Sequence, residues 1–349
     1  MPGELREDHV AVSDQKEGSQ IYNRGNFGYP VGGGGVELDL IEALFLLEAG
    51  RLEVVRSGSP MSFEDLLSHS SSVVDGFDIA YIVYRDLRRR GFIVRAESGA
   101  FDLSVFPRGC NLSNSRPAYM VRAVSERAVP DISSFSGEAS AVRGAGKQLL
   151  YGVVDEEGDL TYYIMSIRDP RGSAFPKGDP AGARGRLIRD RLFVFDSREG
   201  EALRSRGFYG KTDGDSTQLS LIEGCHLIGA GDLEVESTAG EAVSREALAR
   251  FGAEAQDEFD LRLRAFEDLR GRGLVVKTGF KYGTHFRVYE DSPDLCHARY
   301  LVHAVSSSEA MTWSEISRAV RLSGGVKKEV LFCRLGESAE YLEFKWFRP

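Results

Sequence analysis

Two hydrophobic spacings alternate along the chain. Leu40, Leu44 and Leu47 recur at helical intervals, as do Leu221, Cys225 and Ile228, so each set predicts an amphipathic helix. Gly50 and Gly231 follow them as C-terminal stops. A second helix is predicted from near Ser62, which has capping-box spacing to Asp65, and a matching one from near Ser244. A third carries Phe77, Tyr81, Tyr84 and Leu87, or Phe259, Leu263 and Phe266, and ends at Gly91 or Gly273. The pattern then changes to short strand-like runs: FIV, FDLSVF and AYMVRAV early, LVV, FRVY and YLVHAV late. Each series closes with a helix and two strands, QLLYGVV and LTYYIMS or EVLFC and YLEF.

This parallelism is a repeat. A shift of 181 or 182 residues superposes DHVAVSD at Asp8 on DRLFVFD at Asp190, and LDLIEALFLLEAGRLEV at Leu38 on LSLIEGCHLIGAGDLEV at Leu219. It also superposes YRDLRRRGFIV on FEDLRGRGLVV, AYMVRAVS on RYLVHAVS, and KQLLY at Lys147 on KEVLF at Lys328. The predicted fold is therefore α+β, a mixed α/β chain of two tandem copies. Each copy has a helical and β N-terminal subdomain and an α/β C-terminal subdomain. We place the first unit at 1–168 and a Gly/Pro-rich linker at 169–185, DPRGSAFPKGDPAGARG. The second unit follows at 186–349, its subdomains meeting at 273/274. The Gly32 to Gly35 run lacks the Lys and Ser/Thr of a P-loop, so a phosphate cradle is set aside.

Composition narrows the function. With 349 residues and 42% apolar content the chain can build two real cores. Cys110, Cys225, Cys296 and Cys333 are scattered without a C-x-x-C pair, so neither a disulfide framework nor a zinc site is expected, and a reducing cytoplasm fits. No long apolar run or signal-like N-terminus predicts a membrane segment. A net charge of −9 argues against indiscriminate nucleic-acid binding. Locally, however, Leu261 to Glu290 carries Arg262, Arg264, Arg270, Arg272, Lys277, Lys281 and Arg287 against Glu267, Asp268 and Glu290. A basic face on an acidic molecule is the expectation for that segment.

The candidate chemistry lies in VVKTGFKYGTHFRVYEDSPDLCHARYLVHAV, residues 275–305, and in the SGGVKKEVLF run after it. Tyr289, His297 and Lys328 sit on or beside strand-like runs there; the first copy has Phe106, Arg116 and Lys147 at the matching places. Singly, each has an ordinary explanation: a half-buried strand tyrosine, a turn histidine, a solvated edge lysine. Among the other histidines, His303 continues a strand and reads as structural, whereas His285 sits in a loop that can approach a substrate.

The KTGFKYG and FRVY runs, the HARYLVH run and the VKK before the next strand resemble the catalytic core of tRNA-splicing endonucleases, particularly archaeal ones. The resemblance implies a restriction-nuclease-like C-terminal subdomain and one active site per chain, in the second copy. Tyr289 would be the general base on the 2′-hydroxyl, His297 the general acid on the 5′-oxygen, and Lys328 the stabiliser of the charged phosphorus. In-line attack by the neighbouring 2′-oxygen supplies its own nucleophile, so two proton movements and one cation suffice, without metal or cofactor. Histidine suits that donor role near neutral pH; tyrosine needs a cationic neighbour to act as a base. Products would be a 2′,3′-cyclic phosphate and a 5′-hydroxyl.

The same resemblance implies that Arg321 and Trp346 sandwich a base of the precursor tRNA at a bulge-helix-bulge junction, against the plainer reading that Trp346 packs its strand. It also implies that the acidic turn with Asp155, Glu156, Glu157 and Asp159 inserts into a basic pocket on a partner, making a homodimer. Two rivals are a non-catalytic RNA-binding subunit and a metal-dependent nuclease. The latter wants paired carboxylates near Lys328, and Glu329 is expected to point away from it.

Overall fold

The computed structural model describes residues 2–110, 112, 114–130, 132–176, 178–307 and 311–349. The chain divides into two compact units: 1–166 with 311–315 and 345–349, and 167–310 with 316–344.

The first copy begins with β1 (Gly3–Leu5), β2 (His9–Val12), α1 (Gln15–Gly25), β3 (Tyr29–Pro30), β4 (Val36–Asp39), α2 (Leu40–Glu48), β5 (Val54–Arg56) and β6 (Ser59–Pro60). These strands form a sheet in the order β3-β4-β2-β1-β5-β6. Then come α3 (Phe63–Val73), α4 (Phe77–Arg89), β7 (Ile93–Ala96), β8 (Leu103–Phe106), β9 (Tyr119–Ser125), α5 (Ile132–Gly144), β10 (Gln148–Val154) and β11 (Leu160–Arg168). The latter strands run β7-β8-β9-β10-β11, antiparallel except where β9 and β10 pair parallel across α5.

The second copy repeats the plan. Its first part holds β12 (Ala183–Ile188), β13 (Arg191–Val194), α6 (Ser197–Gly207), β14 (Lys211–Asp213), β15 (Ser216–Leu219), α7 (Leu221–Gly229) and β16 (Leu233–Glu236), in the order β14-β15-β13-β12-β16. After α8 (Arg245–Ala255) and α9 (Phe259–Gly271) come β17 (Val275–Thr278), β18 (Phe286–Tyr289), β19 (Tyr300–Ser306), α10 (Trp313–Gly325), β20 (Glu329–Leu335) and β21 (Ala339–Phe347). These run β17-β18-β19-β20-β21, with β19 and β20 parallel.

Local chemistry accounts for the boundaries. Ser62 accepts from Asp65 N–H while Asp65 accepts from Ser62 N–H, the reciprocal box that starts α3; Ser220 and Glu223 do the same for α7. Gly50 and Gly231 follow α2 and α7 at φ +63° and +73°, a region that side-chain-bearing residues seldom adopt. Leu44 and Leu46 in α2, and Leu221, Cys225 and Leu227 in α7, are fully enclosed in their unit's core.

In each copy one buried ion pair ties the N-terminal helix to the first strand of the C-terminal subdomain. Glu42 meets Arg95 at 2.9 Å and accepts from Gly28 N–H, while Arg95 donates to Gly28 O. Glu223 meets Lys277 at 3.3 Å and accepts from Gly210 N–H, while Lys277 donates to Gly210 O. Each of these buried carboxylates thus has an ion-pair partner and backbone hydrogen bonds that offset part of its desolvation cost and join the two subdomains of its copy.

Two expectations change. β12 begins at Ala183, inside the stretch assigned to the linker, because Ala183 and Gly185 face inward and pair in parallel with Leu233 and Val235. Small residues that look turn-like singly are here the buried side of an internal strand, paired with β13 on one side and β16 on the other. The linker is also held, by Gly172 N–H to Arg272 O, Ser173 N–H to Glu290 O and Ala174 N–H to Gly273 O. The basic stretch 261–290 is largely internal rather than a face. Arg270 is buried and donates to Tyr209 OH and Leu274 O; Arg272 pairs with Asp268 and Asp169; Lys277 is committed to Glu223. Only Arg264 and Lys281 of the seven are exposed.

Candidate active site

Tyr289 ends β18 opposite Val275, and its ring is 8% exposed in a small cluster with Val275 and Ala298, against which Ala174 and Phe208 pack. From there the chain makes a tight turn. Ser292 O accepts from the N–H groups of Leu295 and Cys296, Ser292 Oγ accepts from Asp294 N–H, and Arg204 of α6 holds Asp294 at 2.6 Å. His297 follows on the exposed side of this turn, and among the described residues its imidazole makes no hydrogen bond. Lys328 precedes β20, and its partly buried ammonium donates to the carbonyl of Ala298 at 2.8 Å.

Ala298 is thus the common point. Tyr289 packs on it, His297 precedes it, and Lys328 is anchored on its carbonyl. The parallel pairing of β19 with β20 makes this possible, since Arg299 O accepts from Glu329 N–H and so brings Lys328 beside Arg299, within reach of the Ala298 carbonyl.

Sequence reasoning passed over Tyr282, whose ring centroid lies 5.8 Å from Lys328 Nζ. The KYG run was its only signal. Gly279, earlier in that loop, has no room for a side chain: a Cβ would lie 2.3 Å from Thr284 Oγ1 and 2.6 Å from Thr284 O. Gly283 then adopts φ +64°. Together they fix a single turn, Phe280–Tyr282, that presents Tyr282.

The surrounding charges are mutually paired. Arg299 bridges Glu290 at 2.7 Å and Glu329 at 3.1 Å, and Arg168 takes the other oxygen of Glu329 at 2.9 Å. The carboxylate nearest Lys328 in sequence is therefore held between two guanidiniums. His285 turns inward, its Nδ1 accepting from Ala304 N–H at 3.0 Å, with its Nε2 3.3 Å from Glu258. Burial pushes its pKa down to about 4, and does the same to His303, whose ring stacks on Phe332. His285 is thus a structural histidine, since its loop folds back onto β19.

In the first copy, Phe106 is buried, Arg116 is exposed, and Lys147 Nζ approaches Met120 Sδ at 3.4 Å instead of a carbonyl. Arg321 is exposed on α10. Trp346 is 54% exposed on β21 with Arg348 4.3 Å from its ring centroid, so it does not simply pack its strand. The acidic turn between β10 and β11 is built on Asp155, which accepts from the N–H groups of Glu157 and Asp159. Glu156 pairs with Arg127, whereas the exposed side chains of Glu157 and Asp159 are unpaired among the described residues.

Comparison with known proteins places this geometry. The model of the tRNA intron endonuclease catalytic C-terminal domain matches residues 77–162 and 259–341, and that of its N-terminal domain matches 1–67 and 183–249. The chain belongs to the tRNA intron endonuclease family. Curated relatives of the same length agree. The tRNA-splicing endonuclease of Methanococcoides burtonii is 34% identical over 349 residues, covering 98% of each chain. That of Methanosarcina mazei is 35% identical over 346 residues and that of Natronomonas pharaonis 34% over 355, each covering 97% of both chains. The N, C, N, C order of family domains matches the tandem units. Among the described residues no helix is long and apolar enough to cross a membrane.

Proposed function

We propose that this chain cuts precursor tRNA at bulge-helix-bulge intron junctions, using the 2′-hydroxyl beside the scissile phosphate as nucleophile. Tyr289, as general base, takes the 2′-hydroxyl proton; the 2′-oxygen bonds to phosphorus; the 5′-oxygen leaves with a proton from His297. Lys328 lies against the extra negative charge of the pentavalent phosphorus. The ends are a 2′,3′-cyclic phosphate and a 5′-hydroxyl, and both residues return to their starting protonation through solvent. The observation that carries this reading is the gathering of Tyr289, His297 and Lys328 around Ala298, with no equivalent set in the first copy.

The chain acts as a homodimer, with the acidic turn of each first unit entering a basic site on the partner's second unit. Glu157 and Asp159 supply free carboxylates. Lys281 and Arg287, in the β17–β18 hairpin, supply cations without ion pairs among the described residues, and Arg287 Nε is buried without a partner. Arg321 and Trp346 each offer a stacking surface to an extruded bulge base, and stacking tolerates any base identity. Incubating the chain with a bulged precursor RNA beside a His297→Ala variant, and mapping the ends, tests the chemistry. Ends other than cyclic phosphate and 5′-hydroxyl would refute it.

A further inference from the structure

Each of the three clustered residues has a member of one ion network close beside it in the chain. Glu290 follows Tyr289, Glu329 follows Lys328, and Arg299 comes two residues after His297. Arg299 joins the other two: its Nη1 meets Glu290 at 2.7 Å and its Nε meets Glu329 at 3.1 Å. Tyr300 OH donates to the same Glu290 oxygen at 3.0 Å, and burial together with that bond pushes its pKa up to about 12, so it stays a donor. Arg168, at the end of β11, takes the other oxygen of Glu329 at 2.9 Å and reaches Glu343 of β21 at 2.7 Å. One guanidinium thus ties together the end of β18, the start of β19 and the start of β20.

The fold does not require this network. The first copy has Pro107, Ala118 and Gln148 at the matching places, yet β7 to β11 keep the same strand order and the same pairings. Arg299, Glu290 and Glu329 are also partly exposed, and ion pairs between such groups contribute little to stability. The network and the tyrosine and histidine are present together in one copy and missing together from the other. Tyr289 and Lys328 take no part in it, and their side chains stay with the cluster around Ala298.

We infer that Arg299 is a positioning residue, which with Glu290 and Glu329 clamps the segments carrying Tyr289, His297 and Lys328 in fixed register with one another. A planar fork can hold carboxylates from two directions at once, which a single ammonium does less well. The inference rests on the proposed function. Misplacing a reacting group by about 1 Å can slow a reaction about 10²-fold, so the clamp is felt in rate rather than in stability.

The test uses the full chain and a bulge-helix-bulge precursor RNA. Single-turnover cleavage at saturating enzyme, RNA affinity and melting temperature are measured for the parent, Arg299→Met, Arg299→Lys, Glu290→Gln, Glu329→Gln and Arg299→Met/Glu329→Gln. Arg245→Met, which breaks a comparable pair with Glu267 at 3.0 Å, is the control and keeps the parental rate. Arg299→Met lowers the melting temperature by no more than about 4 °C. It leaves RNA affinity within about threefold of the parent and slows cleavage about 10–100-fold. Arg299→Lys recovers part of that rate, and the double variant loses no more than Arg299→Met alone, because the pair acts as a unit. A parental rate in Arg299→Met overturns the inference, as do losses that multiply in the double variant. So does a loss confined to RNA affinity and its salt dependence, with both glutamine variants cleaving as the parent, since the guanidinium would then serve a phosphate directly. The clamp is also read without cleavage, which separates its failure from failure of the proposed chemistry. Amide exchange over residues 290–299 rises severalfold in Arg299→Met, and unchanged exchange there overturns the inference whether or not the parent cleaves.

Discussion

Truncating Lys328 separates two explanations of the residue that a sequence leaves entangled. Its ammonium donates at 2.8 Å to the carbonyl of Ala298, a residue only 6% exposed. In Lys328→Met the stem stays and the donor is lost, so a buried carbonyl goes unsatisfied at a cost of about 1–3 kcal/mol. For a chain of this size that lowers the melting temperature by roughly 2–8 °C. If the lysine only braced the turn, activity well below the melting temperature would change little. If it also faces the pentavalent phosphorus, loss of one preorganised cation slows the chemical step by about 10²–10³-fold. Single-turnover cleavage of a bulged precursor at saturating enzyme, beside a melting curve, reads both terms. Lys328→Arg keeps the charge and recovers part of the rate, even where its fork fails to restore the bond to Ala298. A folded Lys328→Met that cleaves within about threefold of the parent would refute the catalytic assignment and leave a bracing role.

Other consequences follow from the same geometry. His297 is exposed and free of hydrogen bonds, so His297→Ala should leave the melting temperature unchanged while slowing cleavage about 10²–10⁴-fold; equal losses of both would mean a structural histidine. Gly279→Ala puts a Cβ against the backbone of Thr284, so it should distort the turn carrying Tyr282, costing on the order of 1–3 kcal/mol, with rate falling more than RNA affinity. The buried glutamates of the two copies titrate in opposite directions. Burial raises Glu42 from 4.5 to about 7, so its contribution is complete below its unfolded pKa and is lost as pH rises through about 7. Glu223 is fully buried yet lowered, because Lys277 and the N–H groups of Ser220 and Gly210 outweigh desolvation; its contribution is present above 4.5 and is lost as pH falls. Melting temperatures from pH 5 to 8 should therefore decline less in Glu42→Gln than in the parent, and a parallel decline would contradict this account. Reversing Glu157 and Asp159 to lysine should yield monomers by sedimentation while unfolding remains unchanged; a dimer that persists would remove the acidic turn from the interface.

Much of this was legible before any coordinates. The repeat showed itself because both copies keep apolar spacing, helix caps and stop glycines, which are local properties of the chain. Ser62 with Asp65, and Gly231 after α7, could be assigned from their neighbours alone, and the structure has them as expected. What depends on distant partners was not legible. Arg270, Lys277 and Arg272 count as surface charge in a sequence, yet Tyr209, Glu223 and Asp169, each more than fifty residues away, hold them inside or beside the core. His285 looked solvent-facing because its loop is rich in glycine, but Ala304 N–H turns its ring inward. The anchoring of Lys328 was equally hidden, since it depends on the register between β19 and β20.

The most direct test is to incubate the purified chain with a bulge-helix-bulge precursor RNA in excess EDTA and to map the ends of every fragment. The account predicts cleavage at both junctions, leaving 2′,3′-cyclic phosphate and 5′-hydroxyl ends, and near-complete loss in His297→Ala. Cleavage that appears only when magnesium is restored, or that leaves 5′-phosphate ends, would contradict it.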